Sequence, residues 1–167
     1  MKKHTCSILF IFYSTIVFSQ KTDNWNWISN AQSTDHSDGF SISNVVNSHV
    51  YVCGEFSGKK ILFGETKLLN AGDKGTNDIF IAKYDLAGNL DWVKSIGGAG
   101  NDFARSIAVD ASEHIYIAGG YTSAEITFGN TVLKNADNNG THDIYVARYE
   151  PDGTVTWAKS IGGKLDD

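Results

Sequence analysis

The side chains with most chemical capacity are carboxylates and carboxamides gathered in short polar segments. They are Asp73, Asn77 and Asp78, then Asn101 and Asp102, then Asp137, Asn138, His142 and Asp143, and finally Asp166 and Asp167. Hard oxygen donors around a turn suit calcium. The run Asp137-Asn138-Asn139-Gly140-Thr141-His142-Asp143 offers such a set, with Asp137, Asn139 and Asp143 as candidate ligands. It lacks EF-hand spacing and the terminal bidentate Glu, and Lys74 stands 65 positions before Asn139. The competing reading is structural, because Asn and Asp make Asx-turns and Gly supplies positive φ.

For an organic ligand, the candidate contacts are Asp78, Asn101, Asp102, His142 and Asp143. Carboxylates such as Asp102 and Asp143, if they converged, would suit the acid and base roles of a polysaccharide hydrolase or lyase. Other motifs carry less. Gly97-Gly98-Ala99-Gly100 precedes no helix that could hold a phosphate. His49 and His114 have no second His or Cys at metal-ligand spacing and read as surface or packing residues. Cys53 reads as a small buried strand residue. No nucleophile elbow or zincin helix occurs, so no catalytic residue is assigned and no cofactor is expected beyond possible calcium.

These residues sit in a tandem repeat. Trp27, Trp92 and Trp157 are 65 residues apart, and the same step relates Tyr51 to Tyr116, Gly54 to Gly119, Asp78 to Asp143 and Tyr84 to Tyr149. Each unit shows strand periodicity and no helical window. In the second unit the strands are predicted at Ser106–Asp110, His114–Tyr121, Asp143–Tyr149 and Thr154–Ile161, with an apolar piece, Ile126-Thr127-Phe128-Gly129, inside the long connection Thr122–His142. Glu150-Pro151-Asp152-Gly153 and Asp85-Leu86-Ala87-Gly88 read as hairpin turns. Short hairpins at one end and long polar connections at the other define an antiparallel four-stranded meander.

The second and third strands, Ile115-Tyr116-Ile117-Ala118 and Ile144-Tyr145-Val146-Ala147, are apolar on both faces, the pattern of a sheet covered on both sides. The predicted fold class is therefore all-β, with tandem four-stranded antiparallel blades of a β-propeller. Gly54, Ala82, Gly119 and Ala147 are expected where sheets approach closely, and the tryptophans where blades pack.

Met1-Lys2-Lys3, an apolar run from Ile8 to Phe18 and the small residues Val17 and Ser19 have the form of a secretory signal peptide cleaved after Ser19. The expected division is 1–19 signal peptide and 20–167 partial propeller, within which 20–30 is a lead-in strand around Trp25–Ile28, 31–96 one blade, 97–161 a second and 162–167 the next connection. The 148 residues after Ser19 make about 2.3 units of 65, so closure needs further blades from a longer chain or from homo-oligomerisation. Loss of Lys2 and Lys3 moves the net charge from −5 to −7, which argues against nucleic acid or anionic lipid as partner.

The run Gly97-Gly98-Ala99-Gly100-Asn101-Asp102-Phe103-Ala104-Arg105-Ser106-Ile107-Ala108-Val109-Asp110, followed by His114-Ile115-Tyr116-Ile117-Ala118-Gly119-Gly120-Tyr121-Thr122-Ser123, resembles the SBBP repeat of secreted bacterial β-propeller proteins. The resemblance implies a propeller of about seven blades in an extracellular or cell-surface protein, and it implies no catalytic residues. The expected function is a non-enzymatic binding or adhesion scaffold for a protein or glycan, without membrane insertion; the alternatives are an exported propeller hydrolase or lyase acting on polysaccharide, or a calcium-stabilised structural repeat.

Overall fold

A computed structural model describes residues 29–33, 35–44, 48–72, 75–137 and 140–167. The expected signal peptide, the lead-in strand around Trp25–Ile28 and Trp27 lie outside these residues. Thirteen strands form among the described residues: β1 Ala31–Ser33, β2 Ser37–Asn44, β3 Val50–Phe56, β4 Lys60–Phe63, β5 Thr66–Leu69, β6 Asp78–Tyr84, β7 Leu90–Ile96, β8 Asp102–Val109, β9 Ile115–Tyr121, β10 Glu125–Phe128, β11 Thr131–Lys134, β12 Asp143–Tyr149 and β13 Val155–Ile161. The protein is all-β, as the periodicity predicted.

Two four-stranded antiparallel sheets carry the repeat. The first runs β2-β3-β6-β7 and the second β8-β9-β12-β13, so each is a meander in chain order. The connection from the second to the third strand is itself structured in both units. It folds as a hairpin, β4-β5 or β10-β11, and β1 adds to the former. The sequence reading saw one apolar piece there; the second strand, Thr131–Lys134, alternates too briefly to stand out.

Hydrophobic burial follows the two-sided pattern. One face of the first sheet, with Val50, Val52, Phe56, Phe80, Ala82 and Tyr84, packs on Ala31, Ile61 and Phe63 of its own hairpin layer. Its other face, with Tyr51, Cys53, Ile79 and Ile81, packs on Ala104 and Ile107 of β8. The hairpin contacts repeat closely. Phe63 meets Phe80 at 5.1 Å and 58°, and Phe128 meets Tyr145 at 4.9 Å and 46°, tilted pairings that aromatic quadrupoles favour.

The first strand of the second sheet starts earlier than the sequence suggested, because β8 begins at Asp102 and passes through a bulge between Ala104 and Ser106; β2 has the matching bulge between Gly39 and Ser41. This explains the small residues opposite. A Cβ on Gly119 would lie 1.8 Å from the Phe103 carbonyl oxygen, and one on Gly54 would lie 2.0 Å from that of Asp38. The close approach at these two glycines is thus to the bulged neighbouring strand of the same sheet, and not, as expected, to another sheet. At the hairpin end the turns behave as read: Gly88 and Gly153 have φ of 86° and 79°, and each donates its N–H back to the carbonyl of Asp85 or Glu150.

Candidate functional site

The long connections of both units and the segment between the sheets emerge at one end, where Asp78, Asp102 and Asp143 sit at the first positions of β6, β8 and β12. All three side chains are buried. Asp78 Oδ2 accepts the Ala71 N–H at 2.6 Å, and Asp143 Oδ2 accepts that of Ala136 at 2.8 Å, so one fastener closes the long connection in each unit. Asn70 and Asn135 complete it by donating to the carbonyls of Thr76 and Thr141, both at 2.8 Å. Asp102 holds the segment between the sheets instead, accepting the Gly98 N–H and the Ser123 hydroxyl, both at 2.7 Å.

The second oxygens of Asp78 and Asp143 are buried with no hydrogen-bond partner and face glycines. A Cβ on Gly97 would fall 2.2 Å from Asp78 Oδ1, and one on Gly162 would fall 2.0 Å from Asp143 Oδ1. Burial pushes the Asp78 carboxyl up to about 7, with the Asp102 charge adding to the rise and the Ala71 N–H opposing it. Burial also raises Asp102, against its hydrogen bonds from Ser123 and Gly98.

The five candidate ligand residues therefore part company. Asp78, Asp102 and Asp143 face inward as fasteners, and Asn101 is half-buried with Oδ1 accepting the Asn77 N–H at 3.1 Å. His142 keeps an exposed side chain, stacked on Phe103 at 5.6 Å and 3.1 Å from Asp166. Of the calcium candidates, Asp137 accepts the Thr141 hydroxyl at 2.9 Å, Asp143 is committed to Ala136, and Asn139 lies outside the described residues. Among the described residues no group of three His, Cys, Asp or Glu is arranged to hold a metal.

A denser polar cluster lies at the opposite end, between the sheets, and the sequence reading missed it. Glu113 ends the turn from β8 to β9 with φ of 62°, a left-handed conformation unusual for a residue with a long side chain. Its carboxylate reaches across to the first sheet and accepts hydrogen bonds from Ser48, from His49 at 3.1 Å, from Tyr51 at 2.9 Å and from buried Lys83 at 3.2 Å. Partial burial works against the charge, but these donors outweigh it and hold the Glu113 carboxyl down at about 2. Lys83 and Trp92 both donate to the Pro151 carbonyl, at 3.3 and 3.1 Å, which places Trp92 between the sheets as expected. Cys53 is buried nearby in the intersheet core, and burial pushes its thiol up to about 12, an inert state. One sequence signal existed: the turn Asp110-Ala111-Ser112-Glu113 lacks the Gly that its positive-φ position favours.

The other notable surface is a shallow depression of about 390 Å³ on the outer face of the second sheet, lined by Phe103, Arg105, Gly119, Gly120 and Ile144 among others.

No family model matches the chain. A 104-residue stretch, 62% of the chain, is 31% identical to the regulatory protein FlaEY of Caulobacter vibrioides, covering 11% of that protein. A 97-residue stretch, 53% of the chain, is 28% identical to the uncharacterised WD repeat-containing protein L264 of Acanthamoeba polyphaga mimivirus, covering 7% of it. The matched stretches thus span about a tenth or less of these curated relatives. A WD-repeat relative accords with the arrangement of the two sheets: this chain is a β-propeller-like repeat scaffold.

Proposed function

We propose that the chain is part of an exported β-propeller of the SBBP-repeat kind, acting as a non-enzymatic binding or adhesion scaffold for a protein or glycan outside the cell. The observation that carries this reading is the fate of the carboxylates. Asp78, Asp102 and Asp143, the groups best suited to acid and base chemistry, are spent on closing the connections between strands. Among the described residues, half-buried Asp137 and exposed Asp166 and Asp167 remain at that end, on loops carried by a rigid frame, the usual setting of a recognition site. Export rests on the three-part N-terminal sequence through Ser19, and closure of the propeller on further blades in cis or in trans.

Two measurements test this. Fractionation of the source cells should find the protein outside the cytoplasm, with Gln20 at its N-terminus. The purified protein should then bind members of a glycan and surface-protein panel without turning over any polysaccharide. Turnover abolished by Asp102→Asn, with stability retained, would replace this reading by the hydrolase or lyase one.

A further inference from the structure

The interface between the two sheets shows what the outer face of the second sheet is shaped to receive. In that interface Ile79 and Ile96 of the first sheet and Ile107 of the second are 0%, 7% and 5% exposed. Their counterparts one repeat away, Ile144, Ile161 and Ile42, are 39%, 70% and 47% exposed. The apolar residues that the interface buries are thus present again, uncovered, on the two outer faces.

The polar ends of the contact repeat as well. At the intersheet contact the Asn77 N–H donates to Asn101 Oδ1 at 3.1 Å, and the Asp102 N–H donates to the Asn77 carbonyl at 2.8 Å. One repeat later the His142 N–H donates to Asp166 Oδ1 at 2.8 Å, and the Asp167 N–H donates to the His142 carbonyl at 3.1 Å. Asp166 and Asp167 therefore lie at the head of a lane equivalent to the one β8 occupies.

Two differences set what can fill that lane. In the intersheet contact Arg105 pairs with Glu55 at 3.4 Å, but the outer face has Gly120 at the place of Glu55, within the depression. In the same contact Glu113 answers Lys83, His49 and Tyr51. The outer face has Arg148, His114 and Tyr116 there, and these are already met by acids of their own unit. Arg148 is 3.2 Å from Glu150, and His114 is 2.8 Å from Asp110 and 3.5 Å from Glu150. The first unit is filled less: one acid of its own, Asp91, lies 3.3 Å from His49, while Val45 stands at the place of Asp110 and Asp85 is turned into its own hairpin, accepting the N–H groups of Ala87 and Asn89. A glutamate arriving from outside would be a third carboxylate in that group, and an arginine would find Gly120 where Glu55 stands in the intersheet contact, in a depression that Arg105 already lines.

We propose that the outer face of the second sheet is the docking face for a further blade-like unit of this same repeat carried in cis, one with no acid at the position of Glu113 and an apolar residue in place of Arg105. The first unit has both features, Ser48 and Phe40; the second has neither. This rests on the repeat-scaffold reading above and is independent of any ligand, so a thiol readout tests it apart from the binding assay.

Ile161→Cys puts a probe on the open face, with buried Cys53 as internal control for folding. In the chain of 167 residues, with Cys6 replaced by Ser so that Cys53 is the other thiol, the new thiol should react freely with a maleimide. Extending the chain beyond Asp167 with a copy of residues 38–102 should slow that reaction at least ~10-fold, because labelling then requires local opening. Extension with a copy of residues 103–167 should protect less, and exchanging the appended unit's counterparts of Glu113 and Arg105 for Ser and Phe should restore protection. If the I161C thiol stays as reactive in every extended chain while Cys53 remains protected, the proposal fails. Equal protection by both unaltered appended units overturns the two-residue rule. Concentration-dependent protection of the unextended chain assigns the face to a second copy and overturns it too.

Discussion

Glu113 and Asp78 show how burial and partners turn the same chemical group in opposite directions. Glu113 is held charged by four donors, so its folded carboxyl titrates at about 2, below the ordinary 4.5. Its contribution to stability is complete above about 4.5 and is lost as pH falls toward 2. Asp78 is buried with one oxygen unpartnered, so its folded carboxyl titrates at about 7, above the ordinary 3.8. Its contribution is complete below 3.8 and is lost as pH rises through 7, where the folded state must carry a buried charge. Urea denaturation at pH 3, 5 and 8 should therefore separate two variants. Glu113→Gln should lose most at pH 5 and 8 and less at pH 3. Asp78→Asn, which keeps an acceptor for Ala71, should lose its largest penalty relative to wild type as pH rises to 8. The opposite tilt in either variant would mean that the carboxyl does not sit in the surroundings described.

At the scale of the strands, the bulges in β2 and β8 explain the positions of Gly54 and Gly119. These glycines are required by contact, since the opposing carbonyl occupies the space of a side chain; Gly64 is required only by its backbone, with φ of 60° and no atom within 4 Å of the point a Cβ would occupy. Gly119→Ala should cost ~3 kcal/mol by overpacking and shift the bulge. Gly64→Ala should cost only ~1 kcal/mol, the penalty of a left-handed residue with a Cβ. Equilibrium unfolding of the two variants checks the contrast, and equal costs would show that the bulge gives way freely. The strand pattern was legible in the sequence because two-sided apolar runs and turn residues are local signals. The bulges were not, because an extra residue in one strand is defined only by its pairing with another.

At the scale of the whole molecule, the two sheets are tied by an apolar contact centred on Ile107 and by polar clasps at both ends. Ile107 and Ile42 hold the same place in the repeat but differ in what covers them. Ile107→Ala should cost ~3 kcal/mol through lost burial and a cavity, whereas Ile42→Ala should cost well under ~1 kcal/mol because its side chain is half in solvent. Thermal melts of the two variants measure this, and similar losses would mean that the sheets do not pack as described. The sequence by itself determined the 65-residue period, the all-β class and the meander of each sheet, since spacing, alternation and turn chemistry are properties of neighbouring residues. Only the tertiary structure decided that Asp78, Asp102 and Asp143 are inward fasteners and that Glu113 joins the two sheets. Whether a carboxylate faces solvent or a backbone N–H depends on which segments fold over it, and those lie up to a whole repeat away in the chain.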